Sequence, residues 1–182
     1  MHPARRTLLP LFALLALLAL GAGVSACGYS SNSKHTNEGE PLQLGELKYN
    51  VTFSRYLNPN DTEDAAYLEG QPEPPKGETY FGIFFEVQNE SDEPQTLPST
   101  LTITDAEDNE YKSIPSESIF ALPFEGTVEP EEQIPVLDSP AQQGPIEGSV
   151  AIFLLPEEAS ENRPLTLHIE GAEEKGEVTL DL

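Results

Sequence analysis

The chain has 182 residues, with 9 Lys and Arg set against 32 Asp and Glu, a formal net charge of −23, three histidines and a single cysteine. That balance excludes nucleic acid as a partner, because binding it rests on neutralising phosphates with cations. One cysteine excludes an internal disulfide.

At the N-terminus Arg5 and Arg6 precede an apolar run from Leu8 to Leu20, interrupted only by Pro10. A positive flank followed by a short apolar core is the layout of a secretory signal. The core falls short of the roughly 20 apolar residues a membrane span needs, so removal after export is expected. Val24, Ser25 and Ala26 then lead directly into Cys27, and these four residues resemble the bacterial lipobox. The resemblance implies that a diacylglycerol is attached to the Cys27 sulfur, that residues 1–26 are cut away as a lipoprotein signal peptide, and that the new amino group is open to acylation. Membrane lipid, held through acylated Cys27, is then the first expected partner, and the outer face of the cytoplasmic membrane the expected location. Each buried methylene contributes about 0.8 kcal/mol, so two or more acyl chains retain a protein that one would release.

Removing residues 1–26 leaves 156 residues, enough for one ordinary domain, and a net charge of −25, since Arg5 and Arg6 go with the leader. Gly28 to Pro41 is polar and rich in Ser, Asn and Gly. Residues 27–41 therefore read as a lipidated N-terminus and flexible tether, reaching roughly 20 Å as a coil, and residues 42–182 as the folded domain.

From Leu47 the apolar residues recur with a period of two, as in strands with one buried face. The expected inward set is Leu47, Tyr49, Val51 and Phe53; Phe81, Ile83, Phe85 and Val87; Leu101 and Ile103; Val150, Ile152 and Leu154; Leu165, Leu167 and Ile169; and Val178, Leu180 and Leu182. One short helix is expected after the first strand, capped by Asn58 with Pro59 in its first position, and running to about Leu68. Six prolines between Ile114 and Pro145 prevent long central strands there, although Phe120, Leu122 and Phe124 could form one short edge strand. The expected fold is all-β: an immunoglobulin-like antiparallel β-sandwich with one short helix, a closed barrel being its competitor.

Several segments carry a resemblance: Asn58-Pro59 with Glu63-Asp64 and Tyr67-Leu68, the run Phe81 to Asn89, and Thr104-Asp105 before Tyr111. Over most of Leu44 to Leu182 the chain resembles the immunoglobulin-like extracellular domains carried by many lipoproteins of actinobacterial type. That resemblance implies fold and location, and supplies no catalytic residue.

The residues supply none either. His35 is expected in the tether, without fixed geometry, and His168 on the outward side of a strand, so no nucleophile has a histidine base beside it. Two separated histidines give no zinc spacing. The acidic turn Asp105 to Glu110 lacks the spacing of a calcium loop, and carboxylates are so abundant that no pair can be chosen as acid and base. No catalytic residue, metal or cofactor is assigned. Phe84 and Phe153 are expected on strand faces opposite the core, with Tyr56 and Tyr67 near connections. Gathered in the open, they would form an apolar patch rimmed by acid, suited to a protein partner. The expected function is thus a membrane-anchored, noncatalytic structural or protein-binding module. The alternatives are a released soluble protein, which sequons at Asn50, Asn60 and Asn89 would suit, and a carboxylate-based hydrolase.

Overall fold

The computed structural model describes residues 33–181, so the expectations for the leader, for Val24, Ser25, Ala26 and Cys27, and for Leu182 fall outside the described residues. In chain order the strands are β1 (Ser33–Asn37), β2 (Pro41–Leu44), β3 (Leu47–Leu57), β4 (Glu78–Asn89), β5 (Gln95–Thr96), β6 (Thr102–Thr104), β7 (Glu110–Ile114), β8 (Thr127–Val128), β9 (Gln133–Ile134), β10 (Ser149–Pro156), β11 (Thr166–Glu170) and β12 (Lys175–Thr179). Where one helix was expected there are, among the described residues, two, α1 (Thr62–Tyr67) and α2 (Pro140–Gln143), and a 3-10 turn at Glu157–Ser160.

The strands follow the path β1-β12-β11-β6-β7-β10-β4-β3-β2, with β9 added on β4 and β5 paired with β8 in a separate ribbon. β7 belongs to both layers of the sandwich, pairing with β6 on one side and β10 on the other. All these pairings are antiparallel except β1 on β12. The main core lies between the layers and takes Leu101, Ile103, Leu165, Leu167, Ile169, Val178 and Leu180 from one, and Tyr49, Val51, Phe81, Ile83, Phe85 and Val87 from the other.

The layer β10-β4-β3 is buried on both faces. From Tyr80 to Phe85 every residue of β4 is buried, and so is Ser149 to Phe153 of β10; such continuous apolar runs belong to strands covered on both sides. Register then decides the faces. Phe153 lies opposite Phe81 and Ala151 opposite Ile83, which turns Phe153 into the main core. Val150, Ile152 and Phe84 instead join Leu57, Tyr67, Leu68 and Tyr80 in a second cluster on the opposite face, with Leu154 packed against it. The expected facing of β10 is therefore reversed.

β3 changes parity midway. Its pairing with β4 slips by one residue between Val51 and Phe53, the signature of a bulge, which sends later side chains to the other face. Leu47, Tyr49 and Val51 point inward as expected, whereas Phe53 is 44% exposed. Thr52 at the bulge donates its hydroxyl to the Phe84 and Glu147 carbonyls.

Residues 33–41 are not a tether. β1 pairs along its whole length with β12. Polar composition misleads here because β1 is an outer strand whose backbone, not its side chains, makes the fold. The Glu38 carboxylate accepts the Ser54 amide at 2.9 Å, the Ser54 hydroxyl at 2.5 Å and the Asp181 amide at 3.1 Å, joining the segment to the bulged strand and to the chain's end. His35 consequently has a fixed place, its Nε2 2.9 Å from the Thr179 hydroxyl.

The cap of α1 is Asp61, not Asn58: its carboxylate accepts the amides of Glu63 and Asp64. Asn58 instead closes a turn by accepting the Asn60 amide at 3.0 Å, so Pro59 precedes the helix. Buried Asp64 accepts the Asn58 amide at 2.7 Å and a hydrogen bond from the Arg55 guanidinium, which compensates the cost of burying its charge.

Candidate functional site

The four aromatics expected to form an open patch do not form one. Phe84, Phe153 and Tyr67 are buried, and half-buried Tyr56 packs edge-on against Phe81 with centroids 5.1 Å apart. Tyr67 meets Phe84 at 5.0 Å and Phe120 at 5.1 Å, both edge-to-face. Helix α1 and the proline-rich segment supply these rings and close over the face of β4 that was expected to be open. Phe53, 44% exposed, has its ring 6.5 Å from that of Phe84.

The exposed apolar surface lies elsewhere. Pro115, Pro123, Pro130, Pro135, Pro140 and Pro145 deny this stretch a continuous ladder, and it folds through tight turns: Gly126 donates its amide to the Pro123 carbonyl, Glu132 to Glu129 and Ser139 to Val136. Phe120, Leu122 and Phe124 make no edge strand; the segment is held to β10 by a single parallel bridge, Ala121 on Val150. What the turns leave of strand structure is β8 and β9, two residues each. β9 pairs with β4 and β8 with β5, each on one side only. Both line a groove of about 260 Å³, with Ile119, Ala121, Pro123, Glu132, Pro135, Val136 and Ala141 among the other walls. Ile119 is 66% exposed, Val136 60% and its neighbour Leu137 65%. Two of the four large apolar side chains most open to water among the described residues, Ile119 and Val136, thus line one groove, and Leu137 directly follows Val136.

Asn89 positions that site. Fully buried at the end of β4, its amide nitrogen donates to the carbonyls of Glu93, Val128 and Glu129 at 2.8–3.1 Å, and its oxygen accepts the amide and hydroxyl of Ser91. The turn between β8 and β9 is thereby fastened to the sheet, and the Asn89 sequon is occupied by internal hydrogen bonds. Glu125, Glu131 and Asp138 in the groove's turns hold left-handed backbone, with φ of 57°, 59° and 62°, a conformation costing a non-glycine residue about 1–2 kcal/mol.

The groove is acidic. From Ser113 to Asn162 the chain has no Lys, Arg or His, while Glu132 lines the groove and Glu125, Glu129, Glu131, Asp138 and Glu147 stand in its turns. The ion pairs among the described residues, such as Lys34–Glu174, Lys48–Glu90 and Arg55–Glu63, all lie outside this stretch. Ser139 spends its hydroxyl as the cap of α2. The groove's lining offers the Glu132 carboxylate and the hydroxyls of Thr127, Ser139 and Ser149, and no histidine, cysteine or lysine.

The acidic turn after β6 has a different use. Both carboxylate oxygens of buried Asp105 are taken by donors: the Glu107 and Asn109 amides, the Asn109 side chain and the Tyr111 hydroxyl, at 2.9–3.3 Å. Burial opposes the charge, but these bonds outweigh it and hold the Asp105 carboxyl at about 2. Burial and the same carboxylate push the Tyr111 hydroxyl up to about 12. The residue locks a turn. His168 is half-buried on β11, its Nε2 2.8 Å from the Thr104 hydroxyl and its Nδ1 3.9 Å from Glu177.

No protein-family model matches the chain, and no curated protein matches it. Solved structures do resemble it. An uncharacterized β-sandwich protein from Clostridium difficile 630 aligns over 82% of this chain and 95% of its own, with 14% identity and a TM-score of 0.50. The yjhA protein of Bacillus subtilis aligns over 81% and 99%, with 12% identity and a TM-score of 0.50. A secreted protein of Mycobacterium tuberculosis, MPT63, aligns over 81% and 97%, with 12% identity and a TM-score of 0.46. The two likenesses at 0.50 show a shared β-sandwich fold.

Proposed function

We propose that the chain is exported, cut before Cys27 and lipid-anchored there, and that its sandwich acts as a noncatalytic binding module on the outer face of the cytoplasmic membrane. The anchoring half is supported by the leader and by Val24, Ser25 and Ala26 ahead of Cys27. The binding half is carried by one observation: Ile119 and Val136 stand exposed in the lining of one groove, with exposed Leu137 next to Val136 in sequence. β1 begins six residues after Cys27, and six fully extended residues span at most about 20 Å, so lipid at Cys27 keeps the domain close to the membrane.

Two measurements test the two halves. Mass spectrometry of the native product is expected to find diacylglyceryl thioether on Cys27; a free Cys27 thiol in the culture supernatant would instead establish a released protein. A photo-crosslinker at position 136 in intact cells is expected to give a discrete adduct that the same group at position 53 does not. Equal labelling from both positions, or none, would remove the binding role.

A further inference from the structure

We propose that the groove receives an extended, cationic polypeptide segment that joins β9 as an added strand. This rests on the binding reading above and names the class of partner. Among the described residues β9 has a strand neighbour on one side only, and both its residues, Gln133 and Ile134, line the groove; the same holds for Thr127 and Val128 of β8. A sheet edge beside an apolar depression is the arrangement that peptides use when they add a strand, with backbone hydrogen bonds supplying affinity and alternate side chains entering the depression. The volume of about 260 Å³ lies below the ~300–1,000 Å³ typical of small-molecule sites, and suits a few side chains rather than a whole ligand.

Charge selects among occupants. The groove's lining, from Ile119 to Ser149, falls within fifty consecutive residues, Ser113 to Asn162, that hold no cation, and Glu132 is itself in the wall. A second copy would bring its own cation-free groove and 25 surplus negative charges, and an anionic lipid surface would be repelled likewise. A segment with Lys or Arg beside its apolar residues meets opposite charge within the ~8 Å over which it is felt at physiological salt. The same features explain why the edge is not sticky in general. Pro130 and Pro135 flank β9, and prolines and charges at an edge discourage pairing with neutral strands. Acid of one sign leaves that protection open to a strand of the other.

The test uses the natively processed protein in detergent micelles and a pool of fluorescent decapeptides, with Val, Ile or Thr at alternate positions and two lysines at each end. A second pool carries glutamates at the ends. A third keeps the lysines but N-methylates alternate backbone nitrogens. By fluorescence anisotropy the lysine pool is expected to bind at least tenfold more tightly than either other pool. Binding should weaken at least tenfold in Ile119→Ser/Val136→Ser, whose side chains are too exposed to support the fold, and in Glu132→Gln, but not in Glu107→Gln. Equal binding of the lysine and glutamate pools, undiminished binding of the methylated pool, indifference to the groove variants, or no binding at all would each overturn the proposal. A position-136 adduct in cells combined with any of these results would remove the added strand and leave the binding reading standing.

Discussion

Replacing Phe84 separates a buried aromatic from the exposed one its position suggests. Phe84 is fully buried, with Tyr67 edge-on at 5.0 Å and Val150 as its cross-strand partner on β10. Phe84→Ala removes a large core side chain and leaves a cavity, at a cost of about 3–5 kcal/mol; of this the edge-to-face contact accounts for roughly 0.5–1.5 kcal/mol. For a domain of this size each kcal/mol lowers Tm by about 2–4 °C, so a fall of roughly 6–20 °C is expected. Phe53→Ala is the control: it faces the same way, but at 44% exposure it should cost about 1 kcal/mol. Thermal and urea unfolding of a Cys27→Ala form, followed by far-UV circular dichroism, reads both. A Phe84→Ala protein within 1 kcal/mol of its parent would refute the covered face, because that is how surface substitutions behave.

Asp105→Asn removes a buried charged acceptor and should cost about 1.5–3 kcal/mol at pH 7. Because the folded carboxyl sits at about 2 against an ordinary 3.8, its contribution is complete above the higher value and lost as pH falls through the lower. Urea midpoints of parent and variant should therefore converge between pH 4 and pH 2, and a gap that stays constant would count against this assignment. Gly82→Val is expected to destabilise by about 1–3 kcal/mol through overpacking, since even a Cβ there would come within 2.9 Å of Leu57 Cδ1; Leu57→Ala in the same chain should recover part of the loss, and additive losses would speak against it. Asn89→Ala leaves the Val128 and Glu129 carbonyls without their buried donor, and hydrogen exchange should accelerate at β8 and β9 while β11 and β12 are unchanged.

Alternation was enough to identify the sandwich, because Phe81, Ile83, Phe85 and Val87, or Leu165, Leu167 and Ile169, can bury one face only as strands. It failed where a strand is buried on both faces or changes parity. The unbroken run Val150 to Leu155 signalled double burial, yet alternation alone cannot say which half faces which core; the pairing of Phe153 with Phe81 decides that. The bulge after Val51 has no glycine to mark it. The groove was hidden for a related reason: Ile119, Val136 and Leu137 lie among prolines, where no period applies, and their exposure depends on how distant turns fold together. The cation-free stretch around them was readable from the start.

The nine residues 33–41, which look like linker, thus belong to the architecture. Because β1 lies along β12, a chain started at residue 42 would bare the backbone of Lys175–Thr179 as an open seam, inviting self-association, whereas one started at residue 33 would not. A protease shedding the domain intact would have to cut ahead of Ser33, and any cut between Ser33 and Pro41 would release a damaged, aggregation-prone product instead of a soluble one.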